Sequence, residues 1–139
     1  EIQEAVEVEV LDMIGLVERE LARSFPPGTP VGLLATTAAG RVRVFHDRLA
    51  SYALITPDQE VQGELVTAAI LQVKLEGPGS EPREKLLQAF ATLDPRPAAL
   101  IAGCTEVELA LEGADLAVPV LRPMDLLATE IVDRAWREG

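Results

Sequence analysis

Apolar residues in this chain come in two alternating textures. Short, dense runs rich in valine, leucine and isoleucine are separated by longer stretches whose apolar positions recur at helical spacing. The first texture fits strands and the second amphipathic helices. "VEVEVL", with its core at 8–11, predicts a strand, and Met13, Leu16, Val17 and Leu21 share one face of a helix expected from Asp12 to Ser24. "PPGTP" (26–30) stops that helix. "VGLLA" (31–35) is a continuous apolar run, as in a strand covered on both faces. The polar turn "TTAAG" leads to a helix expected over 42–50, and "YALIT" (52–56) reads as a further strand.

The second half repeats the alternation. "PDQEVQGELVTAAILQVK" (57–74) opens with proline and acidic residues, as a helix N-terminus does. "EGPGSEP" (76–82) is a loop, followed by a helix from Ser80 to about Leu93 that "DPRP" (94–97) halts. "AALIAG" (98–103) predicts a strand, "TEVELALEG" a short helix, "AVPVL" (117–121) a strand and 123–136 the last helix. Strands alternating with helices in this way predict an α/β fold with a mainly parallel sheet flanked by helices. "VEVLDM" (8–13) and "VPVLRPM" (118–124) also echo one another, each a valine-rich run leading through a methionine into an amphipathic helix.

Composition narrows the classes of function. The 139 residues are 48% hydrophobic, enough for one domain with a buried core. No apolar run approaches the roughly 20 residues that span a bilayer, and "EIQEAVEVEV" has neither the basic nor the apolar region of a signal peptide. A lone cysteine cannot form an internal disulfide, which points to a reducing compartment, the cytoplasm. Twelve basic against 23 acidic residues leave a net charge of −11, which disfavours nucleic acid and membrane partners. Any small anion must be held by local donors. No metal site is expected.

In open α/β sheets ligands bind beyond the carboxyl ends of strands. Two strand ends carry small polar residues suited to that: "LATT" (34–37) and "AGCT" (102–105). Cys104 stands at the start of a helix, where the dipole favours the thiolate, so it is a candidate base or nucleophile. A free cysteine also reads as a packed apolar residue.

With these motifs in view, "GCTEVELAL" resembles the second cysteine motif of the aspartate/glutamate racemase superfamily, and "VGLLATT" resembles its second-lobe substrate loop. "MIGLVERELA", "ITPDQEVQGELV", "ILQVK" and "LAVPVLRPMDLLATEIV" follow in family order, so the resemblance covers essentially the whole chain. Glutamate after "GCT" is similar to the aspartate racemase branch. The resemblance implies a cofactor-independent enzyme, without PLP, built from two Rossmann-like lobes. One cysteine from each lobe faces one side of the substrate Cα. Residues 1–139 then correspond to the second lobe, with a core at about 8–116 and a strand and helix (117–139) that return to the first lobe.

Residue by residue, the resemblance makes Cys104 the second-lobe acid/base and Thr36 and Thr37 the substrate-carboxylate loop, with Thr105 beside the cysteine. Lys74 matches a lysine near the substrate and otherwise reads as a solvated helix-end lysine. Glu106 either orients Cys104 or serves the helix start. His46 has no role in the pattern and reads as a surface or edge residue.

Two departures follow. The proline-cysteine-asparagine-threonine motif of the first lobe is not in this chain, and "AAGRVRVF" puts Ala39 and Phe45 where family members carry threonine and tyrosine. Three readings stay open. One is a racemase half acting on a small dicarboxylic amino acid or related carboxylate, inactive until joined by the missing first lobe. Another is a single-cysteine, decarboxylase-like enzyme. The third is a non-catalytic binding domain whose partner is a second copy.

Overall fold

The computed structural model describes residues 3–138. At its centre is a parallel four-stranded sheet: β1 (Pro30–Leu34), β2 (Ala53–Ile55), β3 (Ala99–Ala102) and β4 (Val120–Leu121), in the order β2-β1-β3-β4. Side chains alternate across the two faces, as period-2 geometry dictates. Leu34, Leu100 and Ala102 face one buried cluster, with Val66, Ile70, Leu86, Phe90, Val107 and Leu111. Val31, Leu33, Ala99 and Ile101 face the other, with Val17, Leu21, Phe45 and Leu49. The expected α/β architecture is therefore present, with helices on both faces.

α1 (Met13–Ser24) begins at Asp12, whose carboxylate accepts from Gly15 N at 3.1 Å and pairs with Arg48. It buries Leu16, Val17 and Leu21, three positions of the expected apolar face. After β1 come two short helices, α2 (Thr37–Arg41) and α3 (Val44–Arg48), in place of the single helix expected over 42–50. The break is at Arg43, whose φ of 54° lies in the left-handed region, which an L-residue cannot occupy inside a right-handed helix.

The helix expected over 57–74 is continuous but not uniform. It runs as α4 (Gln59–Val61), a π-helical segment (Gln62–Thr67) and α5 (Ala68–Glu76). Asp58 starts it by accepting from Val61 N at 2.8 Å. α6 (Ser80–Ala91) and α7 (Thr105–Ala110) follow, and α8 (Pro123–Glu138) ends the described chain.

A further expectation is corrected. Residues 8–11 form no strand: Val8 is 70% exposed, and the segment is tied into a local loop by the Gln3 carboxamide, which donates to Val8 O and accepts from Val10 N. Alternating valine and glutamate supplies the period of a strand but not a neighbouring strand to pair with. The echo between 8–13 and 118–124 is thus one of sequence texture only. Within the segment expected to return to another lobe, Val120 and Leu121 pair along the edge of this same sheet. Leu100 N donates to Pro119 O at 2.9 Å, so β4 satisfies backbone groups of β3 that would otherwise be left open. α8 packs on α1, with Leu126 against the Val17 cluster. The buried Glu108 holds its start, accepting from Met124 N at 3.0 Å.

Candidate active site at the strand ends

The strand order reverses direction between β1 and β3. From β1 the chain crosses to β2 on one side, and β3 then returns to the other side of β1. The helices that follow these two strands pack on opposite faces: Phe45 of α3 joins the Val17 cluster, and Val107 of α7 joins the Leu34 cluster. Such a switch point opens a crevice at the carboxyl ends of the strands. The "LATT" and "GCTE" motifs lie on either side of it.

The two ends are drawn together by backbone contact. Leu34 and Ala102 are register partners, and Gly103 N donates to Leu34 O at 2.7 Å. A Cβ on residue 103 would stand 2.7 Å from the Ala35 Cβ and 2.8 Å from Leu33 Cδ1. Only glycine permits this approach, and it brings Cys104 next to the end of β1.

Cys104 is the N-cap residue of α7, with extended φ and ψ of −154° and 160°. Its side chain is half-buried against the Leu34 cluster. Burial pushes the thiol up to about 11, the backbone N–H of Val107 pulls it down in part, and the charge of Glu106 raises it further. The expectation that the helix start would favour thiolate is therefore reversed. α7 is only six residues long, and desolvation plus a neighbouring carboxylate outweigh its dipole. At neutral pH Cys104 is a thiol.

Glu106 gathers the other candidates. Its carboxylate accepts from Thr105 Oγ1 at 3.1 Å, Cys104 lies two positions before it, and Lys74 Nζ stands 3.7 Å away at the end of α5. Burial alone would raise its pKa, but its own backbone N–H, Thr105, Lys74 and Cys104 together hold it below the usual carboxylate value. Cys104, Thr105, Glu106 and Lys74 thus form one cluster around an ionised carboxylate.

Thr36 and Thr37 belong to the adjoining strand end. They line a cavity of about 360 Å³ with Ala35, Arg41, Arg43, His46, Asp58 and Gln62 among its walls. The Thr36 hydroxyl accepts from Ala39 N at 3.2 Å and so caps α2, while Thr37 is exposed. Cys104 does not line this cavity. Ala35 and Gln62 do, and Gln62 Nε2 donates to Ala35 O at 3.1 Å and Thr67 Oγ1 at 3.4 Å.

Sequence reasoning missed Gln62, Arg41 and Arg43 as wall residues. A glutamine in "DQEVQGEL" reads as the wet face of a helix, and it is the π-helical turn, a feature frequent at functional sites, that carries Gln62. The repeated arginines of "GRVRV" were the available signal for the other two. His46, expected at a surface or edge, is half-buried on the cavity wall, with a solvent-shielded Nδ1 that has no hydrogen-bond partner among the described residues. No group of three or more His, Cys, Asp or Glu suited to a metal occurs among the described residues.

The model of the Asp/Glu/hydantoin racemase family matches residues 1–131. The chain belongs to that family. Among solved structures, this racemase-family chain is similar to an aspartate racemase of Picrophilus torridus, at 25% identity and a TM-score of 0.74, over 90% of this chain and 52% of that one. It also shares the fold of an aspartate racemase homologue from Pyrococcus horikoshii, at 20% identity and a TM-score of 0.73, over 96% of this chain and 59% of that one. The chain therefore spans little more than half the length of these racemase-family structures. No helix among its described residues is long and apolar enough to cross a membrane.

Proposed function

We propose that this racemase-family chain moves a proton at the Cα of a small amino acid, of the aspartate or glutamate type, with Cys104 as acid/base and no cofactor. One observation carries the reading: the half-buried thiol sits at the carboxyl end of β3, beside the switch point and two positions before an ionised Glu106. A thiol in that state is a proton donor. Its S–H bond breaks as the carbanion's electron pair forms the new C–H bond, and the S–H pair stays on sulfur as thiolate. In reverse, the thiolate takes the Cα proton.

Glu106 favours the protonated partner, since its negative charge opposes a thiolate close by, and Lys74 tempers that charge. Thr105 orients Glu106. Thr36 and Thr37 supply hydroxyls for the substrate carboxylate on the neighbouring strand end. A lone cysteine suits a reducing compartment, the cytoplasm.

Inversion needs a second acid/base on the opposite face of Cα. The chain has one cysteine, so a second thiol has to come from a further segment or another subunit. The protonated state of Cys104 also favours a second reading, in which this one thiol protonates the carbanion left by decarboxylation.

Chiral chromatography of L-aspartate and L-glutamate incubated with this chain tests the assignment. The expected result is no D-isomer from the chain alone. D-isomer formed equally by wild type and Cys104→Ala would overturn the role of the thiol and the requirement for a partner together.

A further inference from the structure

The far end of α7 is held by two guanidinium groups. Arg83 donates to Ala110 O at 2.9 Å and to Glu112 O at 2.7 Å, and Arg122 donates to Leu111 O at 3.0 Å. The end that carries Cys104 has a different tie. Among the described residues, Glu108 is the charged side chain that the fold buries, at 8% exposure. Its backbone N–H donates to Cys104 O at 3.1 Å, and its carboxylate accepts from Met124 N at 3.0 Å. One residue is therefore bonded to the N-cap of α7 on one side and to the start of α8 on the other. Pro123 has no N–H, so Met124 N is the first donor of α8 without a partner inside its own helix. Arg122 and Asp125 are the charged groups facing the carboxylate.

Burying a carboxylate is costly, and an apolar residue of similar volume often packs as well or better. What an apolar residue cannot supply is a directional bond between two helices. We propose that Glu108 is a positioning residue for Cys104: its carboxylate ties α7 to the start of α8 and so fixes how deeply the thiol is buried. Burial, the Val107 N–H and the charge of Glu106 set the thiol's pKa. The first two depend on where the opening turn of α7 lies, and Glu108 follows Val107 directly in that turn. The inference rests on the reading of Cys104 as the group that moves the proton, and it adds a means of regulation. Whatever displaces the start of α8 is transmitted to the sulfur.

Two conservative variants separate the tie from the charge. Glu108→Gln loses the charge and keeps an acceptor of the same reach, whereas Glu108→Asp keeps the charge and is one methylene short. In the full chain, amide hydrogen exchange at Met124 N reports the tie, and the pH profile of Cys104 alkylation by iodoacetamide reports the thiol. Neither readout involves proton transfer at Cα, so a Cys104 that moves no proton would leave both intact. Glu108→Asp is expected to speed exchange at Met124 about tenfold, as loss of a charge-assisted hydrogen bond does. It is also expected to move the alkylation profile to lower pH, with alkylation at neutral pH about tenfold faster as burial of the thiol relaxes. Glu108→Gln is expected to match wild type in both. Unchanged exchange at Met124 in Glu108→Asp, or a wild-type alkylation profile in that variant, would overturn the proposal and leave Glu108 a cap of α8 alone. A profile that moves as far in Glu108→Gln as in Glu108→Asp would overturn it in favour of an effect of charge.

Discussion

Glu106 follows Cys104 by two positions in the first turn of α7, and its charge adds to burial, the larger cause, in keeping protonated the thiol proposed to move the proton. The same carboxylate is tied to Lys74 at 3.7 Å and to the Thr105 hydroxyl at 3.1 Å. A change at Glu106 should therefore be read at sulfur.

Glu106→Gln is expected to lower the thiol's pKa from about 11 toward the ordinary cysteine value without reaching it, because burial, the largest cause, remains. The pH dependence of Cys104 alkylation by iodoacetamide reports this directly. An unchanged profile in the variant would show that Glu106 does not act on the thiol.

Gly103 is the point where the two strand ends touch. Gly103→Ala would place a methyl 2.7 Å from the Ala35 Cβ and 3.2 Å from Leu34 O, contacts that neither backbone nor a short side chain can relieve cheaply. A destabilisation of about 1–3 kcal/mol is expected, as for overpacking elsewhere. Urea denaturation would show it as a lower midpoint at similar slope. A midpoint equal to that of wild type would mean the strand ends are not in this register.

Acid sensitivity is expected at Asp12. Burial raises its pKa, but the hydrogen bonds from Arg48 and Gly15 N outweigh that and leave it lowered. A depressed folded-state pKa stabilises the fold above the unfolded carboxylate value, and the contribution is lost as pH falls through the folded one. Asparagine can still cap α1 but cannot pair with Arg48 as a charge. The stability gap between wild type and Asp12→Asn should shrink on acidification through the carboxylate range. A gap independent of pH would contradict this account of the Asp12–Arg48 pair.

The architecture was legible in the sequence where periodicity and burial agree. The run 31–35 and the run 98–103 are apolar at every position that a doubly covered strand needs, and both are central in the sheet. Residues 8–11 have the alternation without a partner edge, and pairing is a property of the whole sheet rather than of the segment. Helix 42–50 divides at Arg43, and no turn residue announces a left-handed φ at an arginine.

The site divides in the same way. Cys104, Thr105, Glu106 and Lys74 could be named from motifs, but their convergence depends on α5 ending beside the start of α7. The sign of the thiol's shift was hidden because desolvation depends on packing by Leu34, Val107 and their neighbours, which are distant or unremarkable in sequence. Gln62 and His46 reach the cavity wall through a π-helical turn and a broken helix, neither of which periodicity encodes.

The measurement that bears most directly on the central claim is loss of the Cα–H NMR signal of L- and D-aspartate and glutamate in deuterated water. It would be followed from neutral pH upward, with wild type and Cys104→Ala in parallel. The account predicts exchange that depends on Cys104, retains configuration, and grows as the thiol ionises toward its pKa of about 11. Exchange that is the same with and without Cys104 would contradict it.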